Sequence, residues 1–180
     1  MSPSDAEAVK RLFASVASPA DAEKEASKRR PNGDLPLHYV AWCAKGQHAI
    51  EVFATIFNAY PSAAKERGSS GQWPLHDVAR YMGMVEGGLQ AMQLLLAEYP
   101  EAAGQRSSDK WLPIHYICWN ETGTDCLSLE MVIVLLSAYP EGINEKDPEG
   151  RKPYEIASTF GHLPADATEF LRRAENGEQQ

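Results

Sequence analysis

The chain has 180 residues, 43% of them hydrophobic and 23% charged, which is enough apolar material for one packed domain and excludes wholesale disorder. A net charge of −8 excludes a general electrostatic grip on nucleic acid, which needs a positive face. Three cysteines, Cys43, Cys118 and Cys126, with no Cys-x-x-Cys pair, exclude a disulfide framework and point to free thiols in a reducing compartment.

Residues 5–17 predict an opening helix capped by Ser4 or Asp5, with Val9, Leu12, Phe13 and Val16 on one apolar stripe. The polar start has no apolar run of a secretion signal, and nowhere do the roughly 18 apolar residues of a membrane span occur in succession. A soluble intracellular protein, cytoplasmic or nuclear and without a membrane partner, is expected. Ser18-Pro19 breaks the first helix, Asp21 to Arg30 is a second and very polar helical stretch, and Arg30-Pro31-Asn32-Gly33-Asp34 signals a turn. Residues 1–34 therefore read as a half-repeat that caps the repeats beginning at residue 35.

From residue 35 the chain repeats itself. Leu35-Pro36-Leu37-His38 returns as Trp73-Pro74-Leu75-His76 and Leu112-Pro113-Ile114-His115, then in eroded form as Lys152-Pro153-Tyr154-Glu155; the prolines are 38, 39 and 40 residues apart. A second phrase keeps step with the first: Ala59-Tyr60-Pro61, Glu98-Tyr99-Pro100 and Ala138-Tyr139-Pro140. A self-similarity of this period signals stacked repeats. The units run 35–72, 73–111 and 112–151, with a capping repeat over 152–174 and a polar tail over 175–180. The third unit carries most of the net negative charge, with seven acidic and two basic side chains.

Each unit predicts two helices. Proline suits the first turn of a helix, where its missing N–H is not needed, so a first helix starts at each motif proline. In the first unit it extends to about Lys45, and Gly46 stops it. The second helix, from about Gln47 to Tyr60, carries Ile50, Phe53, Ile56 and Phe57 on one stripe. Its counterparts are Leu89, Met92, Leu95 and Leu96, then Leu129, Val132, Leu135 and Leu136. The proline after each tyrosine disfavours helix at that tyrosine and ends the element. Ser/Gly/Asp-rich segments of constant length, read as loops or short hairpins, lead to the next motif. The inter-helix turns at Lys45-Gly46-Gln47, Gly83 to Gly88 and Glu121 to Asp125 absorb the differences in length.

A unit of helix, turn, helix and hairpin-like loop opened by Pro-Leu-His resembles the ankyrin repeat. Pro36-Leu37-His38, Pro74-Leu75-His76 and Pro113-Ile114-His115 match the end of that family's Thr-Pro-Leu-His signature. Ala41, Ala79 and Cys118 stand at its small position, Ile56-Phe57, Leu95-Leu96 and Leu135-Leu136 at its apolar pair, and Asp147-x-x-Gly150 resembles its loop. The period here is longer than the family's 33 residues, and Leu35, Trp73, Leu112 and Lys152 replace the threonine that caps the helix. The resemblance implies an all-α helical solenoid. It also implies a monomeric, non-catalytic module that binds a protein partner through a concave face and loop tips, and histidines that make local hydrogen bonds between loop and helix.

The residues that carry chemistry are weighed against that reading. Stacked helices lie roughly 8–10 Å apart, whereas zinc holds its nitrogen ligands at about 2.0–2.1 Å, so His38, His76 and His115 do not share a metal in a regular stack. His115, Cys118 and Cys126 make the alternative, a small metal site or a Cys/His enzyme, but a fourth ligand and an orienting third group are both missing. Gly83-Met84-Val85-Glu86-Gly87-Gly88 lacks the Lys-Ser/Thr of a phosphate loop. Neither metal nor cofactor is expected. Three, six and seven residues after each motif proline, on the face away from Leu37 and Val40, the copies give Tyr39, Trp42 and Cys43; Asp77, Arg80 and Tyr81; Tyr116, Trp119 and Asn120; and Ile156, Thr159 and Phe160. In the resembling family these offsets meet partners, and Tyr, Trp and Arg dominate binding hot spots. Tyr39, Trp42, Asp77, Arg80, Tyr81, Tyr116, Trp119 and Asn120 are the expected contact residues; the alternative is that these aromatics pack between the longer helices.

Overall fold

A computed structural model describes residues 18–43, 48–82, 87–119, 128–160 and 162–178. The helix expected over 5–17 lies outside those residues, as do the inter-helix turns at 45–47 and 121–125 and most of the one at 83–88. Among the described residues every regular element is helical: α1 (Pro19–Ser27), α2 (Pro36–Cys43), α3 (Ala49–Ala59), α4 (Pro74–Asp77), α5 (Gly88–Glu98), α6 (Pro113–Trp119), α7 (Ser128–Ala138), α8 (Pro153–Phe160) and α9 (Ala165–Glu175). Without a break, α4 runs into a π-helical turn, Val78–Met82.

The prolines act as the sequence predicts. Pro36, Pro74, Pro113 and Pro153 are each the first residue of their helix. Ser18-Pro19 does more than break a helix. Ser18 caps α1, its hydroxyl accepting from the Asp21 amide at 3.2 Å, and Pro19 opens it, so α1 starts two residues earlier than expected and ends three earlier. Tyr60, Tyr99 and Tyr139 leave the helical region at φ near −145° and ψ near 80°. Each following proline then starts a 3₁₀ turn that the sequence patterns do not signal: Pro61–Lys65, Pro100–Gly104 and Pro140–Asn144. These turns bury Ala63, Ala64, Ala102, Ala103 and Ile143.

The linking segments close as three-residue hairpins. The amides of Gly33, Gly71, Lys110 and Gly150 donate to the carbonyls of Arg30, Gly68, Ser107 and Asp147, whose own amides donate to Asp34, Gln72, Trp111 and Arg151. This is the pattern of a type I turn with one left-handed residue after it. That residue has φ of 92°, 70° and 83° at Gly33, Gly71 and Gly150. In the third copy Lys110 takes it at 64°, a conformation that costs an L side chain about 1 kcal/mol or more.

The helices lie in two layers. The first helices contact one another in chain order: α2 with α4, α4 with α6, α6 with α8. The second helices do the same, α1 with α3, α3 with α5, α5 with α7 and α7 with α9. α1 thus packs in the second layer. Between the layers lie the core-facing residues read from the periodicity: Leu37, Val40, Leu75, Val78, Ile114 and Ile117 from one side, Phe53, Ile56, Met92, Leu95, Val132 and Leu135 from the other. One close approach needs glycine. A Cβ on Gly88 would lie 1.9 Å from the Met82 carbonyl at the end of the π turn.

Candidate functional site

The motif histidines tie helix starts to hairpins. In α4 and α6 the ring Nδ1 accepts from the amide just before the motif proline, His76 from Trp73 at 3.3 Å and His115 from Leu112 at 3.1 Å. This is one half of a capping box, with histidine in the role usually taken by Glu or Gln. In the eroded copy Glu155 does the same for the Lys152 amide at 2.7 Å. The far ring nitrogen pairs with a carbonyl further along, His76 with Trp111 at 3.1 Å and His115 with Glu145 at 3.0 Å. Burial pulls the His76 ring down to about 4 despite those bonds, and lowers His115 in the same way.

His38 departs from this pattern. It is buried, at 3% exposure, yet neither ring nitrogen has a hydrogen-bond partner. Burial lowers its pKa; Asp34 and the nearby Glu66 and Gln72 backbones, neither aligned for a full hydrogen bond, work against that. The ring lines a hollow of about 170 Å³ between the hairpin tip at Ser69-Ser70 and the first helices. Asp34, Tyr39, Trp42, Gln72, Asp77, Arg80 and Tyr81 complete the wall. Tyr39 and Trp42 meet edge to face with centroids 6.1 Å apart, and Trp42 is 56% exposed. Burial would raise the Asp34 carboxyl, but bonds from Ser69 and Asn32 hold it below the usual range. Asp77 is 7% exposed; burial and the Asp34 charge push it well up, and Arg80 offsets them only in part.

A second hollow of about 150 Å³ adjoins the first and shares Arg80; Asp109, Trp111, Tyr116 and Trp119 line it. The guanidinium of Arg80 lies 5.1 Å from the Tyr81 ring centre, 5.6 Å from that of Tyr116 and 5.5 Å from that of Trp119. The π turn carries Arg80 and Tyr81. Its wider winding changes the angle at which they leave the helix relative to the other copies.

Of the eight expected contact residues, Trp42 is exposed, and Tyr39, Arg80, Tyr81 and Trp119 are half-buried on this face. Asp77 and Tyr116 are buried; Asp77 is reached only through the wall of the first hollow. Tyr116 instead closes a network, its hydroxyl accepting from Gln72 Nε2 at 3.0 Å and lying 3.3 Å from Ser107 Oγ. Asn120 lies outside the described residues. The alternative chemistry gains nothing from the geometry. Both ring nitrogens of His115 are engaged, and the Cys118 thiol is fully buried and pushed up by that burial. Cys126 lies outside the described residues. No group of three or more His, Cys, Asp or Glu side chains among those residues is placed to hold a metal, and none of their helices is long and apolar enough to cross a membrane.

Sequence reasoning missed an arginine ladder. Arg29 donates to the Gly33 and Arg67 carbonyls at 2.7 and 3.0 Å, Arg67 to Gly71 and Arg106 at 3.0 and 3.3 Å, and Arg106 to Lys110 and Lys146 at 2.6 and 3.0 Å. Each arginine thus holds its own hairpin and the backbone of the next. The signal was present, because these positions recur with the spacing of the motif prolines.

No protein-family model matches the chain, and no curated protein is significantly similar to it.

Proposed function

We propose that the chain is an ankyrin-like stack of four repeats with an N-terminal half-repeat, and that it works as a non-catalytic module binding a protein partner across its first helices and hairpin tips. The two helical layers, the three-residue hairpins and the histidine bonds at the helix starts support the family reading. The observation that carries the function is Trp42, a large aromatic left more than half exposed beside Tyr39, Arg80 and Tyr81. Exposed aromatics next to arginine mark binding surfaces. The charge of −8 favours a basic partner over nucleic acid.

Affinity capture with the full chain tests this, comparing wild type with Trp42→Ala and with Trp42→Ala/Trp119→Ala. A partner recovered by wild type and lost with the single variant, at unchanged melting temperature, supports the reading. Equal recovery with all three proteins overturns it.

A further inference from the structure

Two adjoining hollows on the first-helix face are built alike but filled differently. In the second, the chain supplies its own cation. Arg80 stands six residues after its motif proline, where the neighbouring copies have Trp42 and Trp119, and its guanidinium lies against Tyr116 and Trp119. The first hollow has a comparable aromatic wall in Tyr39 and Trp42, and it adds the carboxyl groups of Asp34 and Asp77. Arg30 covers the Tyr39 ring at 3.6 Å. The hollow's floor holds an unsatisfied polar group: both ring nitrogens of the buried His38 lack hydrogen-bond partners, beside the buried Asp77 carboxyl. Buried polar groups without partners are rare, because each costs about 1–3 kcal/mol, and they mark a place where a ligand completes the bonding.

The size and charge of the hollow narrow the ligand. About 170 Å³ is well short of the roughly 300–1,000 Å³ of pockets for whole small molecules, and suits one side chain. We propose that it receives a single basic side chain, Lys or Arg, of a protein partner, seated against Trp42 and Tyr39 with its charge toward Asp34 and Asp77 and a donor toward His38. This rests on the protein-binding reading and deepens it. An ammonium or guanidinium group gains from both parts of such a wall, the ring faces and the carboxylates.

The charges balance with a proton. Before binding, Asp34 is ionised, the guanidinium groups of Arg29, Arg30 and Arg80 stand nearby, burial favours a protonated Asp77 beside a neutral His38 and the un-ionised Tyr81, and a bond with Cys43 favours the un-ionised Tyr39. An incoming cation ionises Asp77, whose proton passes to the solvent, so the net charge of the hollow is the same before and after. Binding therefore releases protons and weakens as pH falls.

The test uses NMR on the full chain. Acetyl-Gly-Lys-Gly-amide is titrated in while the Trp42 indole N–H and the His38 ring C–H signals are followed; the same tripeptide with norleucine for lysine is the control. Saturable shifts of both signals with the lysine peptide, absent with norleucine and absent at Trp119, are expected. Asp77→Asn keeps the shape of the protonated acid and should weaken binding about tenfold, the loss of one desolvated charge pair. If that variant does not fold, calorimetry of wild type in two buffers of different ionisation enthalpy reads the proton release directly. Equal shifts with norleucine, unchanged affinity in a folded Asp77→Asn, or buffer-independent heats overturn the proposal. Partner capture that needs Trp42 but ignores Asp77→Asn would sink this inference alone; capture indifferent to Trp42 would remove the protein-binding reading beneath it.

Discussion

Along the hairpin edge, equivalent positions hold equivalent residues and make equivalent bonds: Arg29, Arg67 and Arg106 each clasp two backbone carbonyls. Across the first-helix face, the position three after the motif proline holds Tyr39, Asp77, Tyr116 and Ile156, and the position six after it holds Trp42, Arg80, Trp119 and Thr159. The edge must satisfy the same backbone groups in every repeat, so its chemistry recurs. The face has no such obligation, and its side chains differ from copy to copy. Repetition therefore marks what holds the helical layers together, and under the proposed function divergence marks where they meet a partner.

The contrast between edge and face is most exposed to disproof at the motif histidines. His115→Ala orphans the Leu112 amide and the Glu145 carbonyl in a buried setting and should cost about 3 kcal/mol in urea unfolding. His38→Ala removes a ring without hydrogen bonds and should cost clearly less. Equal losses would mean that the ring is filler at both sites.

Acid probes the same contrast. The unfolded chain protonates its histidines near 6.5, while folded His76 resists until about 4, so the unfolded state binds more protons in that window. Stability is then full above pH 6.5 and falls toward pH 4, by roughly 3 kcal/mol from His76 alone, with His38 and His115 acting in the same direction. Asp77 acts oppositely: its folded form holds a proton that the unfolded form has lost, so acid relieves its penalty. Melting curves from pH 4 to 8 should show Asp77→Asn more stable than wild type at neutral pH and steeper in its acid loss.

Smaller effects are expected at single bonds and turns. Arg106→Ala gives up the Lys110 and Lys146 carbonyls and its ion pair with Glu145; partial exposure limits the loss to about 1–2 kcal/mol. Lys110→Gly relieves the left-handed strain and should gain about 0.5–1 kcal/mol, whereas Gly71→Ala, whose Cβ would meet Ser108 at 2.9 Å, should lose stability. Trp42→Ala should leave stability within about 0.5 kcal/mol, as expected for an exposed side chain. A larger loss at Trp42 than at Arg106 would reverse the assignment of edge and face.

The helices and their buried stripes were legible in the amino-acid order alone. Proline at the helix start, proline after tyrosine, and apolar residues three and four apart act through local backbone geometry, so Pro36, Tyr60 and the Phe53–Ile56–Phe57 stripe announced themselves. Tyr39, Trp42 and Arg80 were also legible as one face of the first helices. Stacking alone settled which side chains on that face are free, which His lacks its bonds, and where the hollows fall. Asp77 and Tyr116 occupy the same offset as Tyr39 but are buried, because the neighbouring repeat and the π turn close over them. Local geometry is fixed by residues a few positions apart; burial and hydrogen-bond satisfaction are fixed by residues about forty apart, which only the tertiary fold brings together.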